Sequence, residues 1–101
     1  MKVVVTAAAV TGFLLANPTP ADEALAKKHN CTACHAIDKK VVGPAYKDVA
    51  AKYRGQNVAA KLEEKVKKGG SGVWGPIPMP PNTAVPDDDI KKLVDWVLKL
   101  S

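Results

Sequence analysis

Aromatic side chains, arginine, cysteine and long apolar runs are all scarce in this chain, and each shortage closes off a class of protein. One phenylalanine, two tyrosines and two tryptophans serve 101 residues, so bulky rings alone will not fill a core. Arg54 is the only arginine among 15 basic residues, and the lysines are dispersed, not clustered with aromatics as in a nucleic-acid binder. Zinc-type ligands are limited to His29, Cys31, Cys34 and His35, all inside seven consecutive positions, which a tetrahedral structural zinc centre does not use. No β-rich run follows residue 16. That absence argues against a βαβ unit carrying a thioredoxin-like cysteine pair.

What is present begins with a leader. After Lys2 an apolar run extends from Val3 to Ala16, then Asn17-Pro18-Thr19-Pro20-Ala21 ends it. This reads as a secretory signal over residues 1–21. A retained anchor is the weaker alternative, since spanning a bilayer takes about 20 apolar residues. Cleavage after Ala21 leaves residues 22–101 as one domain of 80 residues, a size at which a hydrophobic core barely offsets chain entropy. Such a chain needs a staple. The net charge of +5 suits loose, salt-sensitive docking on more acidic partners.

Cys31-Thr32-Ala33-Cys34-His35 supplies the staple. Two cysteines three positions apart reach the two vinyl groups along one porphyrin edge, and the adjoining histidine is delivered beneath the iron. A disulfide between Cys31 and Cys34 is the competing use in an oxidising compartment. It would leave His35 and the methionine loop downstream without a purpose. His29 lies too near His35 in sequence to reach the opposite face of the ring, and reads as an exposed helix residue.

The remaining pattern is helical. A first helix is expected over 22–30, with Asp22 and Glu23 at its positive end. Ala36 to Val42 forms a loop closed by Gly43-Pro44, whose rigid turn can present a carbonyl to the second nitrogen of His35. Tyr46, Val49, Ala50 and Tyr53 make an apolar stripe at i, i+3, i+4 and i+7, with both tyrosines as core or edge fillers. A third helix is expected from about residue 57 to Lys68, with Leu62 and Val66 inward and Gly69-Gly70 as its stop. Its charges read as a solvated face, although Lys65 could reach a haem propionate. Asp87 to Asp89 open a last helix with Ile90, Leu93, Val94, Val97 and Leu100 on one side and Trp96 structural beside them. It should cross the first helix and close the core.

Ser71 to Thr83 holds four prolines and two glycines, a composition for a stiff extended loop. Met79 lies within it, and removal of Met1 with the leader makes it the only remaining thioether in the chain. A His/Met pair is an established haem ligation pattern. The alternative, a methionine filling a gap, fits poorly with prolines holding its backbone on both sides. Trp74 needs a hydrogen-bond acceptor if buried, and a propionate would serve. Asn82 either bonds near the sulfur or shapes the turn.

Taken together, the segments 31–35, 42–50 and 72–82 resemble the small bacterial class I cytochromes c of the c-551/c-552 group, and the likeness covers residues 22–101. The resemblance implies an all-α cytochrome c fold, four to five short helices around one covalently bound haem c. It also implies a periplasmic, non-enzymatic, monomeric one-electron carrier working between respiratory complexes, for example toward nitrite reductase or a terminal oxidase. Carried over by position, Cys31 and Cys34 hold the haem, His35 and Met79 bind iron, and the Pro44 carbonyl orients His35. Trp74 and Lys65 meet the propionates and Asn82 neighbours the methionine. Thr32, Val42 and Ile77 belong to the patch where redox partners dock; no nucleic acid is a partner and no stable membrane insertion is expected. The chain departs from the family at Pro86-Asp87, where Ser or Thr commonly caps the last helix, and at Thr83, which reads as an added residue. The rival functions are a thiol-disulfide redox protein and a haem sensor or peroxidase with an open sixth site.

Overall fold

The computed structural model describes residues 20–101, so the leader, and the expectation attached to it, lie outside the described residues but for its last two positions, Pro20 and Ala21. Four α-helices follow in order: α1 (Pro20–Lys28), α2 (Tyr46–Tyr53), α3 (Ala59–Lys68) and α4 (Asp87–Leu98). A single 3₁₀ turn over Cys31–Ala33 separates α1 from the loop before α2, and strands β1 (Gly70–Gly72) and β2 (Gly75–Met79) lie between α3 and α4.

α4 organises the rest because its apolar stripe is the longest. Ile90, Leu93, Val94, Trp96 and Val97 are all buried along it, and it packs against α1, α2 and α3 in turn. Ala26 of α1, Tyr46 and Ala50 of α2, and Leu100 beyond α4 complete the cluster around Leu93, Trp96 and Val97. Alanine at positions 26 and 50 lets helices approach where a larger side chain would hold them apart. Trp96 meets Tyr46 edge to face, 5.4 Å between ring centroids, an arrangement aromatic quadrupoles favour. The Trp96 indole N–H is buried without a protein acceptor.

α4 starts without a side-chain cap. Pro86, in extended conformation, gives its carbonyl to the amides of Asp89 and Ile90 at 3.0 Å each, and three aspartates then face the dipole. Thr83 falls in a turn closed by the Val85 amide on the Asn82 carbonyl at 3.2 Å. α1 begins at Pro20, two residues earlier than expected, since proline is tolerated at the first helical position where no amide partner is lost. It ends before His29, which is not the exposed helix residue the sequence suggested. The His29 side chain is 13% exposed and its Nε2 meets Asp89 Oδ2 at 3.0 Å.

The stretch expected as an extended loop pairs instead into a short antiparallel hairpin, with Gly70 opposite Met79 and Gly72 opposite Gly75. Prolines are accommodated because the sheet has only two strands among the described residues and their outer edges need no partner. Gly70, Gly72 and Gly75 all take positive φ, a conformation side chains resist.

α3 is shorter than expected and none of its residues is fully buried; Leu62 and Val66 are half-buried. Its C-terminus anchors the methionine loop. Gly69 (φ 73°) ends the helix, and a Cβ there would run into the Met79 carbonyl and stand 2.9 Å from the Pro81 nitrogen. Asn82 then closes the helix end from sixteen residues away: its backbone amide reaches the Val66 and Lys67 carbonyls at 3.2 and 3.1 Å, and its side-chain Nδ2 the Val66 carbonyl at 2.9 Å.

Candidate haem site

Asn30 sets the geometry that follows α1. It is the only non-glycine residue with positive φ (62°) among the described residues, and it turns the chain so that the Cys34 and His35 amides both close on the Cys31 carbonyl, at 3.1 and 2.9 Å. The motif is thereby wound into one compact turn. Cys31 and Cys34 are both half-buried and free of a disulfide. The Cys34 carbonyl in turn accepts the amides of Val42 and Gly43 at 3.2 and 2.7 Å, folding the loop back under His35.

His35 Nδ1 lies 2.8 Å from the Pro44 carbonyl. A carbonyl only accepts, so the ring proton sits on Nδ1 and the Nε2 lone pair is left for a metal. Gly43 permits this closeness, because a Cβ at that position would fall on the imidazole ring. The opposite contact is Tyr46, stacked on the imidazole at 5.0 Å between centroids and 19° between planes. Tyr46 thus does more than fill the core: it also stands close enough to the Cys31 sulfur to affect its ionisation. Sequence reasoning missed this link, which no spacing rule encodes.

Burial pushes the Cys31 thiol up from its ordinary value, the nearby Tyr46 hydroxyl offsetting part of the rise. Thiol oxidoreductases need the opposite, a thiolate stabilised at neutral pH. No group of three or more His, Cys, Asp or Glu side chains among the described residues could hold a metal ion. His29 Nε2 meets Asp89 Oδ2 at 3.0 Å, tying the turn before the motif to α4.

Met79 ends β2, half-buried. Lys65 leans over Gly70, the residue paired with Met79, so closely that a Cβ on Gly70 would strike its Nζ. The Asn82 side-chain amide donates to the Val66 and Pro80 carbonyls at 2.9 and 3.3 Å, contacts that shape the methionine loop. Trp74 is not a core residue. It is 42% exposed at the hairpin turn, with Lys52 Nζ 5.6 Å from its ring centroid.

These residues fit a covalently held porphyrin. Two free, half-buried thiols stand a turn apart beside an imidazole with its metal-facing nitrogen free. Val41, Val42, Val73, Trp74 and Ile77 expose apolar surface on the segment that follows His35 and the one that precedes Met79, while among the described residues Ile90 is the only large side chain buried to completeness. A core this thin and apolar residues this exposed are what a bound macrocycle would redress. Fold and site together define a class of protein that holds haem through its own cysteines.

The comparisons agree. The cytochrome c family model matches residues 23–101. The chain is 56% identical to cytochrome c-552 of Nitrosomonas europaea over 93 residues, 91% of this chain and 90% of that protein. It is 59% identical to cytochrome c-551 of Pseudomonas aeruginosa over 91 residues, 87% of this chain and 86% of that one. The crystal structure of wild-type Nitrosomonas europaea cytochrome c552 superposes with a TM-score of 0.76 at 57% identity, covering 78% of this chain and 99% of that one. The chain belongs to the cytochrome c family, within the small class I c-551/c-552 type. It has the all-α cytochrome c fold with a small hairpin added, carries one covalently bound haem c, and is an electron carrier.

Proposed function

We propose that the protein is a periplasmic one-electron shuttle between respiratory complexes, for instance toward a nitrite reductase or a terminal oxidase, and that it turns over no substrate. Residues 1–21 are then the secretory signal and 22–101 the exported, monomeric domain. Cys31 and Cys34 would hold the porphyrin as thioethers, and His35 Nε2 and the Met79 sulfur would bind its iron. Pro44 orients His35, Lys65 and Trp74 meet the propionates, and Asn82 holds the loop that carries Met79. The group supplies, when bound, the Fe(III)/Fe(II) couple. The chain supplies rigidity on both sides of it: a hydrogen-bonded, stacked imidazole on one, and a proline-flanked methionine fastened to α3 on the other. Two side-chain ligands would leave small molecules no place on the iron, as a carrier requires and a sensor or peroxidase does not.

The observation that carries this reading is the 2.8 Å contact from His35 Nδ1 to the Pro44 carbonyl, because it fixes the tautomer in which Nε2 is a ligand, one residue from the anchoring Cys34. Partners meet the face around Thr32, Val42 and Ile77, the last two 46% and 61% exposed. Redox encounters of this kind bury less than about 1,200 Å². Among the described residues no helix is long and apolar enough to cross a membrane.

The test is spectroscopic. A reduced-minus-oxidised spectrum should show a low-spin c-type haem with the weak sulfur-to-iron band in the oxidised form, and the reduced protein should resist carbon monoxide. Ready carbon monoxide binding would replace the shuttle with a sensor; a colourless protein with two reactive thiols would replace it with a thiol redox protein.

A further inference from the structure

Lys52 lies in the last turn of α2, and its ammonium is drawn toward two aromatic rings, not toward a carboxylate. Its Nζ is 5.6 Å from the Trp74 ring centroid and 5.9 Å from that of Tyr53, both inside the range of about 6 Å over which a cation is attracted to a ring face. The ion pairs found among the described residues engage His29, Lys67 and Lys68 instead. Trp74 occupies the two-residue tip between β1 and β2, flanked by Gly72 (φ 104°) and Gly75 (φ 112°), the least restrained backbone of the hairpin. A half-exposed indole on such a tip needs an outside contact to keep one orientation. Lys52 supplies one such contact from twenty-two residues away, on the ring face.

The same contact places a unit positive charge at the hairpin tip. Oxidised iron carries one more positive charge than reduced iron, so a cation nearby favours the reduced form. We infer that Lys52 is a positioning residue that clamps the Trp74 indole against the end of α2 and raises the redox potential by its charge. The second half rests on the reading above that Trp74 marks the propionate edge.

The experiment uses haem-loaded protein and three variants, Lys52→Gln, Lys52→Arg and Trp74→Phe. Exchange of the Trp74 indole N–H with solvent, followed by NMR, should quicken in Lys52→Gln and stay near wild type in Lys52→Arg. The midpoint potential of Lys52→Gln should fall at low ionic strength, with the difference shrinking as salt is added, and Lys52→Arg should keep the wild-type value. In Trp74→Phe the potential should respond to Lys52→Gln less than in the wild type, because the clamp is weakened. Unchanged indole exchange in Lys52→Gln overturns the clamp whatever the potential does. Quickened exchange with an unmoved potential supports the clamp and refutes the assignment of the propionates to this edge.

Discussion

His35 Nδ1 and the carbonyl oxygen of Pro44 stand 2.8 Å apart, and only one of the two can donate. That single constraint orders a chain of consequences: the ring proton is committed, the other nitrogen keeps a lone pair free to accept a metal, and the ring plane is held by Tyr46 on its flank. Pro44 contributes no amide of its own and a fixed φ, so its carbonyl is presented without local backbone freedom. The arrangement resembles the carboxylate or carbonyl partner that commonly backs a metal-bound histidine.

Gly43 is where this arrangement is most easily broken. A methyl group there would overlap His35 Cε1 and lie 2.8 Å from Nδ1, so Gly43→Ala must push either the loop or the ring. Overpacking of this kind costs about 1–3 kcal/mol. The expected outcome is a lower denaturation midpoint for the haem protein, together with a shifted His35 ring signal in NMR. Wild-type values for both would show that the ring has more room than the structure gives it.

Met79→Ala tests the second ligand. Losing the thioether should lower the midpoint potential, abolish the sulfur-to-iron band and let imidazole or carbon monoxide bind, since methionine stabilises the reduced iron relative to harder ligands. Titration with imidazole in the oxidised state and with carbon monoxide in the reduced state measures it. Wild-type resistance to both ligands would place some other group on the iron.

His29→Ala separates stability from ligation. His29 joins the turn before Cys31 to the first turn of α4 through Asp89, a partly buried contact between residues sixty positions apart. Its loss should cost about 1 kcal/mol, read as a shift in the denaturant midpoint, while absorption spectrum and potential stay as they are. A changed spectrum would contradict the assignment of His29 to packing.

Much of this was legible from spacing alone. The Cys31-to-His35 motif, the apolar stripe of α4 and the Gly69-Gly70 stop are local patterns, and the structure has them where the pattern puts them. The hairpin was not legible, because strands of three and five residues rich in Gly and Pro show no alternation, and their pairing depends on three glycines at positive φ. Nor were the contacts of His29 with Asp89, Lys52 with Trp74, or Asn82 with the end of α3, each of which joins segments that only the folded chain brings together. Tyr46 illustrates the boundary: its burial followed from the stripe, whereas its two contacts at the site came from the direction in which α2 leaves the Gly-Pro turn.

Tyr46 also sets the expected response to alkali. Burial raises the phenol well above its ordinary value of 10.0, so the folded protein keeps this proton where the unfolded chain has lost it. With more protons bound in the folded state, stability falls as pH rises. Tyr46 therefore contributes stability in full below about pH 10 and progressively less above it. Guanidinium unfolding of the reduced haem protein at pH 8 to 11 should show this decline, and Tyr46→Phe, which removes the titrating hydroxyl and keeps the ring stacked on His35, should flatten it. Lysine titration affects both proteins alike, so the difference between the two curves isolates the phenol. Parallel curves would mean that the hydroxyl ionises as easily in the folded protein as in the unfolded one, and that the core around Cys31 and Trp96 is wetter than its packing implies.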